Sequence, residues 1–161
     1  KCDWSSDVCS SDLELSIRLN QDSQTDNIST DKKLWIDMQL PFRYVTEDLT
    51  RELAMLEPFG LDNERPVFAE KDVRFLDIRL MGRSMNVLKI LMENASGDRI
   101  EGVMFSHGQD MTEYTESIRN VIQKLGNSAL FQILYFPHIN EFRGRKTPQA
   151  VLEAIRFPGE D

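Results

Sequence analysis

Cysteine is almost missing from these 161 residues; the two that occur, Cys2 and Cys9, both fall within the first thirteen. A C-x6-C pair could mark a disulfide or half of a metal site. Beyond Cys9 the chain has no thiol, which excludes cysteine catalysis, a zinc ribbon and a disulfide scaffold there. Histidine is scarce as well. His107 and His138 each lack a second histidine or a close carboxylate at ligand spacing, and read as surface or strand-end residues. H-E-x-x-H, G-x-S-x-G and a Gly-rich phosphate loop are all absent. The carboxylates are scattered over helix starts and loops, so no nucleophile, metal cluster or paired acid and base emerges, and no catalytic or metal residue is assigned. No run of eighteen apolar residues exists, which excludes a transmembrane helix. No signal peptide is visible, and the expectation is a cytoplasmic protein without membrane contact. Positive charge is also in deficit: 19 basic against 27 acidic residues leave a net charge of −8. That excludes a uniformly basic nucleic-acid coat and a polybasic anchor, and leaves a local patch open. The deficit is uneven, with 7 basic and 14 acidic residues in 1–66 and 12 against 13 in 67–161.

What is present suits a folded chain: 40% of the residues are hydrophobic and 29% charged, enough for one ordinary domain or two small ones. Residues 1–13, KCDWSSDVCSSDL, follow neither a helical nor a strand period. Asp3–Leu13 resembles a translated sequencing adapter through eleven consecutive codons, and is expected to be an artefact that stands apart from the fold. The codon preceding it is compatible with Cys2, so residues 1–13, with both cysteines, are set aside together.

Glu14–Asn20 suggests the end of a helix, and 21–33, rich in Ser, Thr, Asp, Asn and Gln, a loop. Leu34, Ile36, Met38 and Leu40 then alternate as in a half-buried strand. Thr46 is a good N-cap for a helix with Glu47 and Asp48 in its first turn, a stripe of Leu49, Leu53 and Leu56, and Pro58 as its stop. Residues 58–66 hold Gly60 and Asn63 between two prolines and mark a domain boundary. From Val67 the texture becomes short strands, read at 67–70, 73–81, 86–93, 98–105, 128–137 and 150–157. One helix interrupts them. Asp110 and Glu113 suggest a capping box, Gly126 a C′ glycine, and Met111, Tyr114, Ile118, Val121, Ile122 and Leu125 its apolar face. Strands, one helix, then two strands is the element order of an OB-fold five-stranded barrel, an α+β and mainly β class. Phe68, Phe75, Phe105, Phe131 and Phe157 read as core, and Met81, Met85, Met92 and Met104 as core gap-fillers.

The most suggestive stretch is Phe136-Pro137-His138-Ile139-Asn140-Glu141-Phe142-Arg143-Gly144-Arg145-Lys146, aromatics and cations around a glycine turn. Single-stranded nucleic acid needs both, cations for phosphates and aromatic faces for bases. The same residues also fit a solvated hairpin whose cations protect a sheet edge. A second patch, Arg79 with Met81-Gly82-Arg83-Ser84 and Lys89, fits either a basic hairpin or ordinary turn chemistry.

Leu56-Glu57-Pro58-Phe59-Gly60-Leu61-Asp62-Asn63-Glu64-Arg65-Pro66-Val67-Phe68 resembles the L-x-P-F-G-x-x-N-x-x-P-x-F signature of the RecJ family of single-strand-specific DNA exonucleases, in the DHH group. Further pieces follow in order. Ile36-Asp37 resembles the strand leaving the family's DHHA1 domain, Leu88-Lys89-Ile90 its H-L-K-L strand with Val87 in the place of His, and Gly102-Val103-Met104-Phe105 its A-I-A-F strand. Asn140-Glu141-Phe142-Arg143-Gly144 resembles its N-x-[FW]-x-G hairpin, and Gln149-Ala150 stands where Gln-Leu is usual.

The resemblance implies a fragment: 14–57 as the truncated α/β end of DHHA1, 58–66 as the interdomain loop, 67–157 as the OB domain and 158–161 as a tail. It implies single-stranded DNA as partner, a single-strand-binding protein as a further one, and a monomer. The parent enzymes degrade single-stranded DNA from the 5′ end in repair and recombination, using manganese or magnesium held by a DHH domain whose residues find no match here. The fragment is therefore expected to hold DNA and not cut it, with no cofactor of its own. The expected contacts are Arg143, Arg145 and Lys146 to phosphates and Phe142 to a base, with Arg83 and Lys89 second. Phe59, Gly60, Asn63, Arg65 and Pro66 would fix the interdomain loop. The rival expectation is an OB domain serving mainly as a protein-interaction or packing module.

Overall fold

Alternation of period two runs through most of the chain beyond Phe68, and in the structure it becomes five long strands around one core. A computed structural model describes residues 35–106 and 108–159. The expectations for the first thirteen residues, the helix end at 14–20, the loop at 21–33 and His107 lie outside the described residues.

The entering segment carries β1 (Met38–Gln39), a 3-10 turn (Phe42–Tyr44) and α1 (Glu47–Ala54). Thr46 caps α1 as its sequence suggests, its Oγ1 accepting the Leu49 N–H at 3.2 Å. The expected half-buried strand at 34–40 shrinks to two residues lying parallel to Phe68–Ala69. Ile36 and Met38 are exposed and Leu40 alone of the described alternating residues is buried, because β1 is an edge with nothing described over its outer side.

The strands are β2 (Phe68–Met81), β3 (Val87–Glu93), β4 (Arg99–Phe105), β5 (Phe131–Phe142) and β6 (Arg145–Arg156), with α2 (Thr112–Leu125) between β4 and β5. Two expected strands, 67–70 and 73–81, are one. Asp72, at φ 55°, sits at a bulge where β2 changes partner: Phe68–Val73 pairs with β5, and Arg74–Met81 with β3. A bulge bends a strand and increases its twist, and here the bend lets the ladder β2–β3–β4–β6–β5 return to β2. All pairings in this ring are antiparallel except β4–β6. The ring resembles an OB-like fold.

β5 and β6 also run farther than expected, through Pro137 to Phe142 and from Arg145 onward. Proline lacks a ladder donor and is tolerated where one side of a strand is unpaired. Pro137 satisfies that condition, since β2 pairs with β5 only as far as Tyr135; Pro148 likewise precedes the first residue of β6 that pairs with β4.

The core holds Leu88, Ile90 and Met92 of β3, Phe131, Ile133 and Tyr135 of β5, Val73 of β2 and Ile118 of α2, all essentially inaccessible. Phe75 stacks on Phe131 at 4.2 Å between centroids, and Phe157 meets Phe131 edge-on. Gly102 leaves room for its neighbours: a Cβ there would lie 2.6 Å from Met92 Cε and 3.1 Å from Leu152 Cδ1, so the Met92 side chain would have to shift. Helix α2 sets Ile118 into the core, with its N-cap residue Met111, and Tyr114, Val121 and Ile122 pack beside them. Leu125 is exposed, and buried Thr115 takes a place on the inner face by donating its hydroxyl to the Met111 carbonyl. The expected capping box is absent: the helix begins at Thr112, and Asp110 instead accepts the Thr112 N–H at 2.8 Å. Gly126, at φ 54°, closes α2 as expected. Three residues assigned to the core, Phe105, Met81 and Met85, stand at the surface.

Candidate functional site

The β5–β6 hairpin is built from its turn outward. Phe142 and Arg145 are the last ladder partners, so only Arg143 and Gly144 form the loop. Their φ values of 51° and 75° are both positive, the requirement of a type I′ turn, whose twist matches that of the flanking strands. Glycine meets this demand without strain; Arg143 carries the local cost of a side chain in the left-handed region. The tight turn keeps both strands paired to the tip and sets the Arg143 guanidinium over the Phe142 ring, 5.2 Å from its centroid. Phe142 remains 65% exposed.

Strand parity divides the expected contacts. Phe142 lies opposite Arg145, Asn140 opposite Thr147 and His138 opposite Gln149, all on one side of the hairpin. Lys146 lies opposite Glu141 on the other side, where it lines a cavity of about 330 Å³ with Glu47, Arg51 and Glu57 of the entering segment. The structure thus brings Phe142, Arg143 and Arg145 together and turns Lys146 away.

The side carrying Phe142 and Arg145 continues through Gln149 and Val151, partners of Glu101 and Val103, onto the outer face of β4 and β3. That face is internally neutralised. Lys89 pairs with Glu101 at 2.9 Å, Arg79 with Asp77 at 2.8 Å, and Glu93 with both Arg74 and Arg99 at 3.1 and 2.9 Å. Lys89 therefore starts from a bound carboxylate. Arg83, Arg143, Arg145 and Lys146 form no ion pair among the described residues, and Arg83 stands on the β2–β3 turn at the far end of the face from the hairpin.

The loop at 58–66 has its own internal order. Asn63 donates its side-chain amide to the Leu56 and Pro58 carbonyls at 2.7 and 3.0 Å, and its backbone pairs with Gly60. Phe59 meets Phe136 edge-on at 5.9 Å, while Arg65 lies over the same ring at 5.2 Å and pairs with Glu153. Pro66 precedes Val67, whose N–H donates to Asp37 Oδ2 at 2.8 Å. These contacts cover the outer face of Phe136.

The sequence reading missed an apolar row on the ring's surface, exposed Met81 and Phe105 with half-buried Val87 between them, aligned across β2, β3 and β4. Parity carried the signal. Phe105 shares its side of β4 with Glu101 and Val103, whereas Ile100, Gly102 and Met104 turn toward the core.

Among the described residues no three His, Cys, Asp or Glu side chains come together to hold a metal ion, and no helix is long and apolar enough to cross a membrane.

Comparison with known proteins adds two findings. The sequence model of the RecJ OB domain family matches residues 36–154, which takes in the entering segment as well as the ring. The crystal structure of RecJ in complex with Mg2+ from Thermus thermophilus superimposes with a TM-score of 0.52 at 19% identity, over 79% of this chain and 17% of that one. That likeness carries the fold. The chain spans about a sixth of the length of that protein. No curated protein matches the chain.

Proposed function

This chain belongs to the RecJ OB domain family, and from that premise we propose that its ring is an OB-fold barrel that binds single-stranded DNA. In this reading it is the guiding portion of a RecJ-like 5′–3′ exonuclease of DNA repair and recombination. Residues 14–57 would close a preceding DHHA1 domain. Manganese or magnesium for hydrolysis would be held by a DHH domain, a role the described residues do not fit. The reading carries with it a cytoplasmic monomer and a single-strand-binding protein as a further partner.

One observation supports it above the others: Arg143 and Arg145, without an ion pair among the described residues, flank the exposed ring of Phe142 at the tip of a two-residue hairpin. Guanidinium groups take the phosphates, and the aromatic face takes a base, a combination indifferent to sequence. In OB folds the loops joining strands 1 to 2 and 4 to 5 flank the binding face of strands 2 and 3. Counting strands within the ring, the turn of Arg83 and the hairpin are those two loops, and β3 and β4 the face between them.

Fluorescence anisotropy of a labelled single-stranded oligonucleotide, titrated with the full chain at two salt concentrations and against duplex competitor, tests the reading. Three or four phosphate contacts give log K a slope of about −2 to −3 against log salt. Arg143→Ala with Arg145→Ala should lower affinity and flatten that slope by about one for each cation removed. A packing or protein-interaction module, favoured by the covering of Phe136 by Phe59 and Arg65, would show no salt-dependent binding and would not respond to the pair of substitutions.

A further inference from the structure

Resting on the single-stranded-DNA reading, we propose that Met81, Val87 and Phe105 form a second stacking platform, at the end of the face remote from the hairpin, with Arg83 holding the adjoining phosphate. The ladder register puts the three side by side, Met81 opposite Val87 and Val87 opposite Phe105. Neighbouring strands are about 4.8 Å apart, so the row spans on the order of 10 Å, the scale of one or two bases. Met81 is 48% exposed and Phe105 57%, and neither belongs to the core cluster. A lone exposed apolar side chain needs no explanation; an aligned row with Met85 exposed beside it is a patch.

Charge selects the occupant. Beyond one edge of the row stands Arg83 in the turn. Along the other edge runs the next register row, Arg79, Lys89 and Val103; the carboxylates Asp77 and Glu101 lie one row farther, with Leu91 between them. The row thus has cations along both edges, Arg83 without an ion pair among the described residues, and Arg79 and Lys89 each held by a carboxylate from the row behind. An unstacked strand presents that pattern in reverse, apolar bases between anionic phosphates. Lys89 and Arg79 can exchange their surface carboxylates for phosphate at small cost, because ion pairs open to solvent contribute little.

The experiment uses the full chain and oligo(dT) of about 16 nucleotides, the upper site size of one OB fold, beside an abasic strand of equal length. Phe105→Ala should weaken oligo(dT) binding roughly five- to a hundredfold, the range for one lost base–aromatic stack, and leave the abasic affinity and the salt slope unchanged. Phe105→Trp should restore affinity and add a fluorescence signal, over that of Trp4 and Trp35, which unlabelled oligo(dT) quenches. A urea midpoint equal to that of the parent chain certifies the fold of each variant. If Phe105→Ala binds oligo(dT) as the parent chain does while Arg143→Ala with Arg145→Ala has lost it, the platform is wrong and the DNA reading stands. An equal loss on the abasic strand removes stacking as the mechanism. Failure of the folded parent chain to bind oligo(dT), or binding of an acidic apolar peptide there in its place, overturns both.

Discussion

Between Phe68 and Arg156 most large apolar residues are buried, and the strands keep one side in the core with only a few outer apolar residues, such as Val103 and Phe136, also covered, whereas between Trp35 and Pro66 most large apolar side chains face water. Trp35 is 80% exposed and Leu61 fully so, with Ile36, Met38, Tyr44, Met55 and Leu56 also at the surface. Leu40, Phe42, Val45 and Leu53 are buried and Leu49 and Phe59 half-buried, and these six pack on the ring. The closed ladder therefore holds its own core, and the entering segment is a strap laid over it. The strap also decides which surface remains open. It covers Phe136 on β5, and leaves the outer face of β3 and β4 and the hairpin tip to solvent.

The sharpest test of this division is to weaken each region alone. Phe131→Ala removes a ring stacked on Phe75 and met edge-on by Phe157, and should cost about 3–5 kcal/mol, read as a lower urea midpoint for the whole ring. Tyr135→Phe acts at the seam. The Tyr135 hydroxyl donates to the Leu40 carbonyl at 2.6 Å, and its removal leaves that buried acceptor without its partner, at a cost of about 1–3 kcal/mol. Amide exchange should then speed up around Leu40 and Val45 more than around Ile90. Uniform acceleration would mean that strap and ring unfold as one unit. Thr46→Ala removes the cap of α1 and should cost about 1 kcal/mol, confined to the strap. An equal loss of protection in β3 would break the comparison.

Much of the ring was legible because its information is local. Period-two runs, turn glycines and the helical stripe of α2 each depend on near neighbours, and the element order follows from them. Two features were not local. The merging of two strands into β2 depends on Asp72 adopting a left-handed conformation, which its sequence neighbours do not announce, and the length of β5 depends on where β2 stops pairing with it. The hairpin was legible as composition, aromatic and cations around Gly144. Its division into two sides, with Lys146 turned toward α1, required the register. The strap misled for a related reason: Ile36 and Met38 alternate as a buried strand would, but alternation shows only that two faces differ, not that the apolar one is covered.

A final prediction uses a buried charge at the contact between the two regions. Glu70 lies on β2 just before the bulge and is almost wholly buried, with Oε2 lacking a hydrogen-bond partner among the described residues and Oε1 accepting from Asn94 Nδ2 at 3.2 Å. Burial raises its pKa above the ordinary 4.5; the Asn94 hydrogen bond opposes the rise, Asp98 and Asp72 add to it, and the positive charge of Arg43, in the strap, lowers it. A carboxyl with a raised folded-state pKa contributes stability that is full below its unfolded pKa and is lost as pH rises through the folded value. Urea unfolding from pH 4 to 7 should therefore show Glu70→Gln gaining on the parent chain as pH increases, and the gain should vanish at the acid end. Arg43→Ala should steepen the parent chain's decline over the same interval, because the charged carboxylate then loses the positive charge that lowers its pKa. A pH profile indifferent to Arg43 would place the strap away from the bulge, and the covering of Phe136 would have to be re-examined with it.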